Sequence, residues 1–202
     1  MLVKNMKNKT KTSMILSTTI IGLLVVMLAP TDVFANHTPW IGSTLPNGDA
    51  ELYFSCTSLN GMWVDYDWWS NCNTVKGEVQ DAMSTFNGLG NGIDLTTSAT
   101  HTDKIVYAMN LGSYSVLAEA SYPHSPADFV RFNNMQHWST SNGCDFANGY
   151  NLEYVANHEL GHTVGLAHAA QSDNSMMVPN CDATKMSTVQ SHDEAVLDAL
   201  YP

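Results

Sequence analysis

The sequence predicts an α+β fold, and three observations carry that prediction. Short β-type runs at 51–55, 105–109, 115–120 and 128–132 are separated by Gly, Ser, Pro and Asn. Val75, Val79, Met83 and Phe86 recur at the spacing of one helix face. The last fifty residues carry two further helix patterns, so sheet and helix come first and two helices follow.

The N-terminal segment is set apart from this pattern. Lys4, Lys7, Lys9 and Lys11 precede an apolar run from Met14 to Leu28, and Val33-Phe34-Ala35 fits a small-x-small cleavage site. A basic head, an apolar run of about 15 residues and a small-residue site together read as a secretory signal peptide over 1–35. An uncleaved anchor is the alternative; it would need about 20 apolar residues, and Ser17, Thr18 and Thr19 interrupt the run. Removal leaves residues 36–202, long enough for one domain with its own core. The expected location is outside the cell.

The remaining elements follow in order. Residues 36–48 are polar and turn-rich. Glu51 to Ser55 reads as a strand, and Met62 to Trp69, with three tryptophans, as a second. The helix over Val75–Phe86 ends at Gly88-Leu89-Gly90-Asn91-Gly92. Asn151 to Val164 reads as a helix. Ser191-His192-Asp193-Glu194 forms a capping box ahead of Ala195, Val196, Ala199 and Leu200, which places a helix at the end.

Charge and cysteine content narrow the function. The whole chain carries 8 Lys and Arg against 19 Asp and Glu, a formal charge of −11. Residues 36–202 keep 4 basic and 18 acidic residues, a charge of −14. That balance excludes a phosphate-binding surface of clustered Lys and Arg, so no nucleic-acid partner is expected. No basic amphipathic helix holds the chain on a membrane once the leader is gone. Cys56, Cys72, Cys144 and Cys181 are an even set, which after export implies two disulfides. Three pairings are open; sequence order favours Cys56–Cys72 with Cys144–Cys181. No C-x-x-C pair supports a zinc site among them.

The chemistry lies in His158-Glu159-Leu160-Gly161-His162-Thr163-Val164-Gly165-Leu166-Ala167-His168. Two histidines four apart on a helix share a face, about 6 Å apart at Cβ, and can converge on one metal. Glu159 sits beside that metal without ligating it, placed to take a proton from water. In a continuous helix His168 would lie about 15 Å along the axis from His158, so the helix must stop and the chain turn back. Gly165 stands where that turn belongs, because glycine accepts the left-handed conformation that ends helices. Three protein ligands leave a fourth position open, the catalytic arrangement for zinc. Chance produces these five identities in a chain of this composition roughly a few times in a hundred thousand. A distant acid, Asp182 or Glu194, is the alternative third ligand; it leaves Gly165 and His168 unexplained.

This stretch resembles the long zinc-binding motif of the metzincin metallopeptidases. Ser175-Met176-Met177-Val178-Pro179 resembles their methionine turn beneath the metal, with Met177 at the family's position. Within that clan the chain is most similar to the matrixins, the matrix-metalloprotease-like group with small bacterial members. Tyr150–Asn157 resembles the approach to their active-site helix, Leu117-Ala118-Glu119-Ala120 their substrate-flanking edge strand, and Asp193–Tyr201 their closing helix. Phe132 and Trp138 match an aromatic pair before the helix. The likeness runs from about Val116 to Tyr201. It implies a twisted mixed sheet with an active-site helix and a C-terminal helix. It also implies one catalytic Zn²⁺ on His158, His162 and His168, Glu159 as the catalytic base, and a monomeric endopeptidase acting on proteins or peptides. The pocket beyond the scissile bond should be shaped by 178–186.

Departures from the family are also informative. Astacins and serralysins place a tyrosine two residues after the turn methionine; here that position is Pro179. Vertebrate matrixins hold a structural zinc and calcium ions upstream of the helix. At matching positions stand Glu119, Arg131, Asn133, Met135 and Gln136, which do not support either ion; Ca²⁺ is possible but without backing there. Disulfides are expected to supply some of that stabilisation. Residues 36–56 hold no Pro-Arg-Cys-Gly-type stretch, so a zinc-blocking pro-segment is not expected. Two rivals stay open: a secreted zinc-containing binding protein without proteolytic activity, and a narrow processing enzyme instead of a general degrader.

Overall fold

Alternation builds the first strand, β1 (Asp49–Phe54), which turns Ala50, Leu52 and Phe54 inward and its other residues outward. The computed structural model describes residues 44–202, except 69–70, 102, 124–127, 142 and 146. The expected signal peptide, 1–35, lies outside the described residues. After β1 come a short helix α1 (Cys56–Leu59), β2 (Trp63–Val64) and the long helix α2 (Cys72–Asn87). The face of α2 that the sequence marks out is the buried one: Val75, Val79, Ala82, Met83 and Phe86. The helix stops at Gly88, whose N–H bonds Ser84 O at 3.0 Å.

Five strands form the main sheet, in the order β3 (Asp94–Ser98), β1, β4 (Lys104–Met109), β6 (Phe129–Asn133), β5 (Ala118–Ala120). The first four run parallel, and β5 lies antiparallel on β6 at the edge, with Glu119 opposite Arg131. Lys104, 1% exposed, opens β4 and pairs with Asp128 at 3.0 Å. A second, small sheet runs β2, β7 (His137–Ser139), β9 (Gly149–Asn151), β8 (Cys144–Asp145). From β9 the chain enters α3 (Leu152–Thr163), which packs along α2 and against β5 and β6. A short α4 (Ala183–Met186) and the closing α5 (Ser191–Leu200) follow. Phe86, Phe132, Trp138 and Leu160 are fully buried between these layers. The expected α+β architecture, a mixed sheet with an active-site helix and a C-terminal helix, is what forms. No helix among the described residues is long and apolar enough to cross a membrane.

Several boundaries differ from expectation, each for a local reason. The second strand is limited to Trp63–Val64, because Asp65 and Tyr66 take positive φ (47° and 69°) and turn the chain out of extension. Asp65 is held there by Ser139 Oγ and Thr140 N–H at 3.0 and 3.1 Å. Only Ala118–Ala120 of the 115–120 run pairs as a strand. β3 was not expected: Asp-Leu-Thr-Thr-Ser buries Leu95 alone, so an edge strand of this kind carries no apolar alternation. The final capping box is set one residue earlier than expected. Gln190 is the N-cap and Ser191 the first helical residue, because Asp193 reaches back to Gln190 N–H at 3.3 Å. The disulfides join Cys56 to Cys72 and Cys144 to Cys181, the pairing that sequence order favours.

Candidate active site

The local sequence explains how α3 delivers its side chains. Asn151 leaves β9 in an extended conformation and its side-chain oxygen accepts Tyr154 N–H at 2.9 Å, satisfying one open amide at the helix start. The helix then runs twelve residues. Gly165 adopts φ 100° and its N–H bonds His162 O, while Leu166 N–H bonds Gly161 O. That paired closure is the Schellman arrangement, and a side chain at 165 would strain it. The chain reverses and returns His168 toward the first two histidines.

Three imidazoles converge there. His168 Nε2 lies 3.2 Å from His158 Nε2 and 3.1 Å from His162 Nε2. Tetrahedral zinc with nitrogen at about 2.0–2.1 Å would set its ligand atoms about 3.3 Å apart. The opposite ring nitrogens are anchored: His158 Nδ1 donates to Met176 O at 2.9 Å and His162 Nδ1 to Leu166 O at 2.8 Å. A carbonyl can only accept, so each Nδ1 carries the proton and each Nε2 faces the common point with its lone pair. Burial also pushes the His158 imidazole down to about 4, which keeps it neutral. Among the described residues no other group of His, Cys, Asp and Glu is gathered closely enough to hold a metal. Asp182 instead accepts Thr184 N–H at the start of α4, and Glu194 sits in the first turn of α5. Away from this cluster, His137 stacks on Trp63 and His101 lies beside Tyr53; His37 and His124 fall outside the described residues.

The floor of the site is the 175–178 turn. Ser175, Met176, Met177 and Val178 are fully buried. A Cβ at Gly161 would overlap Met177 Sδ, so any larger residue there would force the buried methionines of the turn to shift. Ala169 N–H bonds Met177 O at 2.9 Å, tying the turn to the segment that carries His168. From below, the buried Asp193 carboxylate accepts Ser175 Oγ–H at 2.5 Å and Met176 N–H at 2.8 Å. The sequence showed Asp193 only as a capping residue. In the sequence Tyr201 shows only as the end of the closing helix. Its hydroxyl donates to Val164 O and accepts Leu45 N–H, both at 2.9 Å, and so caps the end of α3.

Glu159 lies between the histidines and a cavity of about 610 Å³. It is 5% exposed, and its Oε2 has no hydrogen-bond partner among the described residues. Burial, then the nearby Glu119 charge, pushes the carboxyl up to about 8. An orphaned acceptor beside three aimed imidazole lone pairs fits a bound cation and a water between them. The cavity is lined by Leu117–Ala120 on the edge strand and by Pro179, Asn180, Cys181 and Met186 after the turn. Tyr122 was not singled out in the sequence. It lines the same space with its ring edge-on to His162 at 5.3 Å. Where the resemblance placed second-metal positions, Glu119 accepts Arg131 Nε–H at 2.8 Å and a second bond from Nη2, an ion pair across β5 and β6.

Comparison with known proteins agrees with this geometry. Human matrix metalloproteinase-26 (Homo sapiens) is 28% identical over 148 residues, covering 73% of this chain and 38% of that protein. The chain thus spans well under half of that relative. The family model described as Matrixin matches residues 81–202, from within α2 through the histidine cluster to the last residue. That span is more than half of the sequence, and the chain belongs to the matrixin family.

Proposed function

We propose that the protein is a secreted zinc-dependent endopeptidase, with His158, His162 and His168 as metal ligands and Glu159 as catalytic base. The observation that carries the reading is the buried Glu159 Oε2, unpartnered among the described residues, beside three converging Nε2 atoms. The residues present fit zinc: all three donors are nitrogens, held as neutral imidazoles by Nδ1 bonds to carbonyls. Zinc supplies Lewis acidity for the scissile carbonyl and makes water a nucleophile near neutral pH.

The remaining steps belong to the chain. Substrate lies extended along β5, which ends the five-stranded sheet and offers its outer edge for main-chain hydrogen bonds. Glu159 takes the proton from the attacking water as the new C–O bond forms. It then delivers that proton to the leaving amine nitrogen as the C–N bond breaks. Burial makes this carboxyl more basic than an exposed one, and a cation held by the three imidazoles would favour its ionised form, the form that accepts the proton. The Lys-flanked apolar run of 14–28 and the two disulfides support export. The acidic surface serves solubility.

A zinc-holding binding protein is the rival, and Glu159 argues against it, since a purely structural metal site has no use for a free buried carboxylate. Digestion of a mixed peptide library by protein spanning 36–202 tests the proposal and reports side-chain preference at once. Cleavage abolished by a chelator and restored by zinc is expected. An intact library with zinc loaded would remove the peptidase reading.

A further inference from the structure

The cavity wall contains a covalent bond. Cys144 and Cys181 both line the space above the histidines, and they are joined to each other. Cys144 opens β8, where it pairs opposite Tyr150. Cys181 lies in the stretch between the methionine turn and α4. The bridge therefore ties the small sheet to the segment that closes the cavity.

That segment has little else to hold it. From Pro179 to Cys181 the hydrogen bonding among the described residues is one exposed contact, Asn180 N–H to Gln171 Oε1 at 3.2 Å. On either side the anchoring is stronger: Met177 O is bonded by Ala169 N–H, and Met186 O by Asn157 Nδ2 at 3.0 Å. Beyond Cys181, Lys185 Nζ donates to Gln171 O at 2.6 Å, so Pro179–Cys181 is the part that would open locally at small free-energy cost without the bridge. Next to Cys144, Gly143 meets the same part of the chain: a Cβ there would stand 2.9 Å from Ala183 Cβ. The two walls touch at this point, and their separation is set by the bridge together with the missing Gly143 side chain. The other disulfide joins α1 to α2, and neither of its cysteines lines the cavity.

We infer that Cys144–Cys181 is a specificity-determining element of the substrate cavity, fixing the position of Pro179–Cys181 and with it the size of side chain that the cavity admits. A fixed wall rejects an oversized group because it cannot retreat, whereas a mobile wall adapts and discriminates less. The inference rests on the peptidase reading for the identity of the ligand and on the observed bridge for the mechanism.

The test uses zinc-loaded protein and a series of peptide hydroxamates that differ in one side chain, Ala, Leu, Phe or Trp. Binding is measured by calorimetry, and kcat/KM on the corresponding peptides is measured in parallel. For C144S/C181S, zinc content should equal wild type, and the ratio between best and worst ligand should shrink by about tenfold or more. C56S/C72S should lower Tm and leave that ratio unchanged. An unchanged ratio in C144S/C181S would reduce the bridge to a structural staple and overturn the inference. If that variant does not fold, Gly143→Ala decides, because it keeps both bridges and pushes the walls apart. A shifted ratio supports the inference and an unshifted one overturns it. Selective hydroxamate binding without cleavage of any peptide would sink the peptidase reading and leave the cavity wall as inferred.

Discussion

Gly161 shows how much a single residue carries in this site. Alanine would gain about 1 kcal/mol of helix propensity over glycine. Against that, its Cβ would overlap Met177 Sδ and crowd Met176 Cε at 3.0 Å, and both methionines are fully buried, so they must repack within the core. Overpacking of this kind costs about 1–3 kcal/mol, which over most of that range exceeds the propensity gain. Gly161→Ala should lower Tm by several degrees. It should also weaken zinc binding, because the displaced turn carries the Met176 carbonyl that orients His158. Calorimetric melting with zinc titration checks both, and a variant as stable and as tight as wild type would show that the turn yields freely. Gly161 carries no signal of its own in the histidine spacing; the hint to its role is that a small residue stands between two histidines four apart. Asp193 and Tyr201 gave no such hint, since their partners lie 17 or more residues away or across the core.

At the scale of elements, α2 and α3 pack together while carrying like charges at their contact. Burial, then Glu153, Asp81 and Asp65, push the Glu78 carboxyl up to about 7 from its usual 4.5. A carboxyl raised in the folded state stabilises the fold below its unfolded pKa and loses that contribution as pH rises to the folded one. Stability should therefore fall between about pH 4.5 and 7 through this group. Glu78→Gln should raise Tm at pH 8 and leave it nearly unchanged at pH 4.5. Equal shifts at both pH values would assign the effect to packing instead of charge. Elements with strong periodicity, α2 and β1, were legible in the sequence because one face is apolar. The same logic left β3 invisible, with Leu95 its one buried residue, and overextended the Trp63 strand, where Asp65 and Tyr66 turn by positive φ.

For the whole molecule, the site is assembled from four places in the chain: the edge strand, the small sheet at Cys144 and Tyr150, α3 with its glycine turn, and the 175–186 region. The histidine spacing exposed the pairing of His158 with His162, and Gly165 with His168 exposed the reversal. What spacing could not show is which walls face each other, and so the bridge at Cys144–Cys181 became a cavity feature only in three dimensions. The central claim is that ligation and proton transfer are separate duties of neighbouring residues. Zinc stoichiometry after dialysis and peptide cleavage rate, measured on Glu159→Ala and His168→Ala, test it most directly. Glu159→Ala should keep about one zinc per chain and lose at least about 10²-fold in rate, the low end for a positioned base. His168→Ala should lose zinc and activity together. Retention of most activity in Glu159→Ala, or wild-type zinc affinity in His168→Ala, would contradict the account.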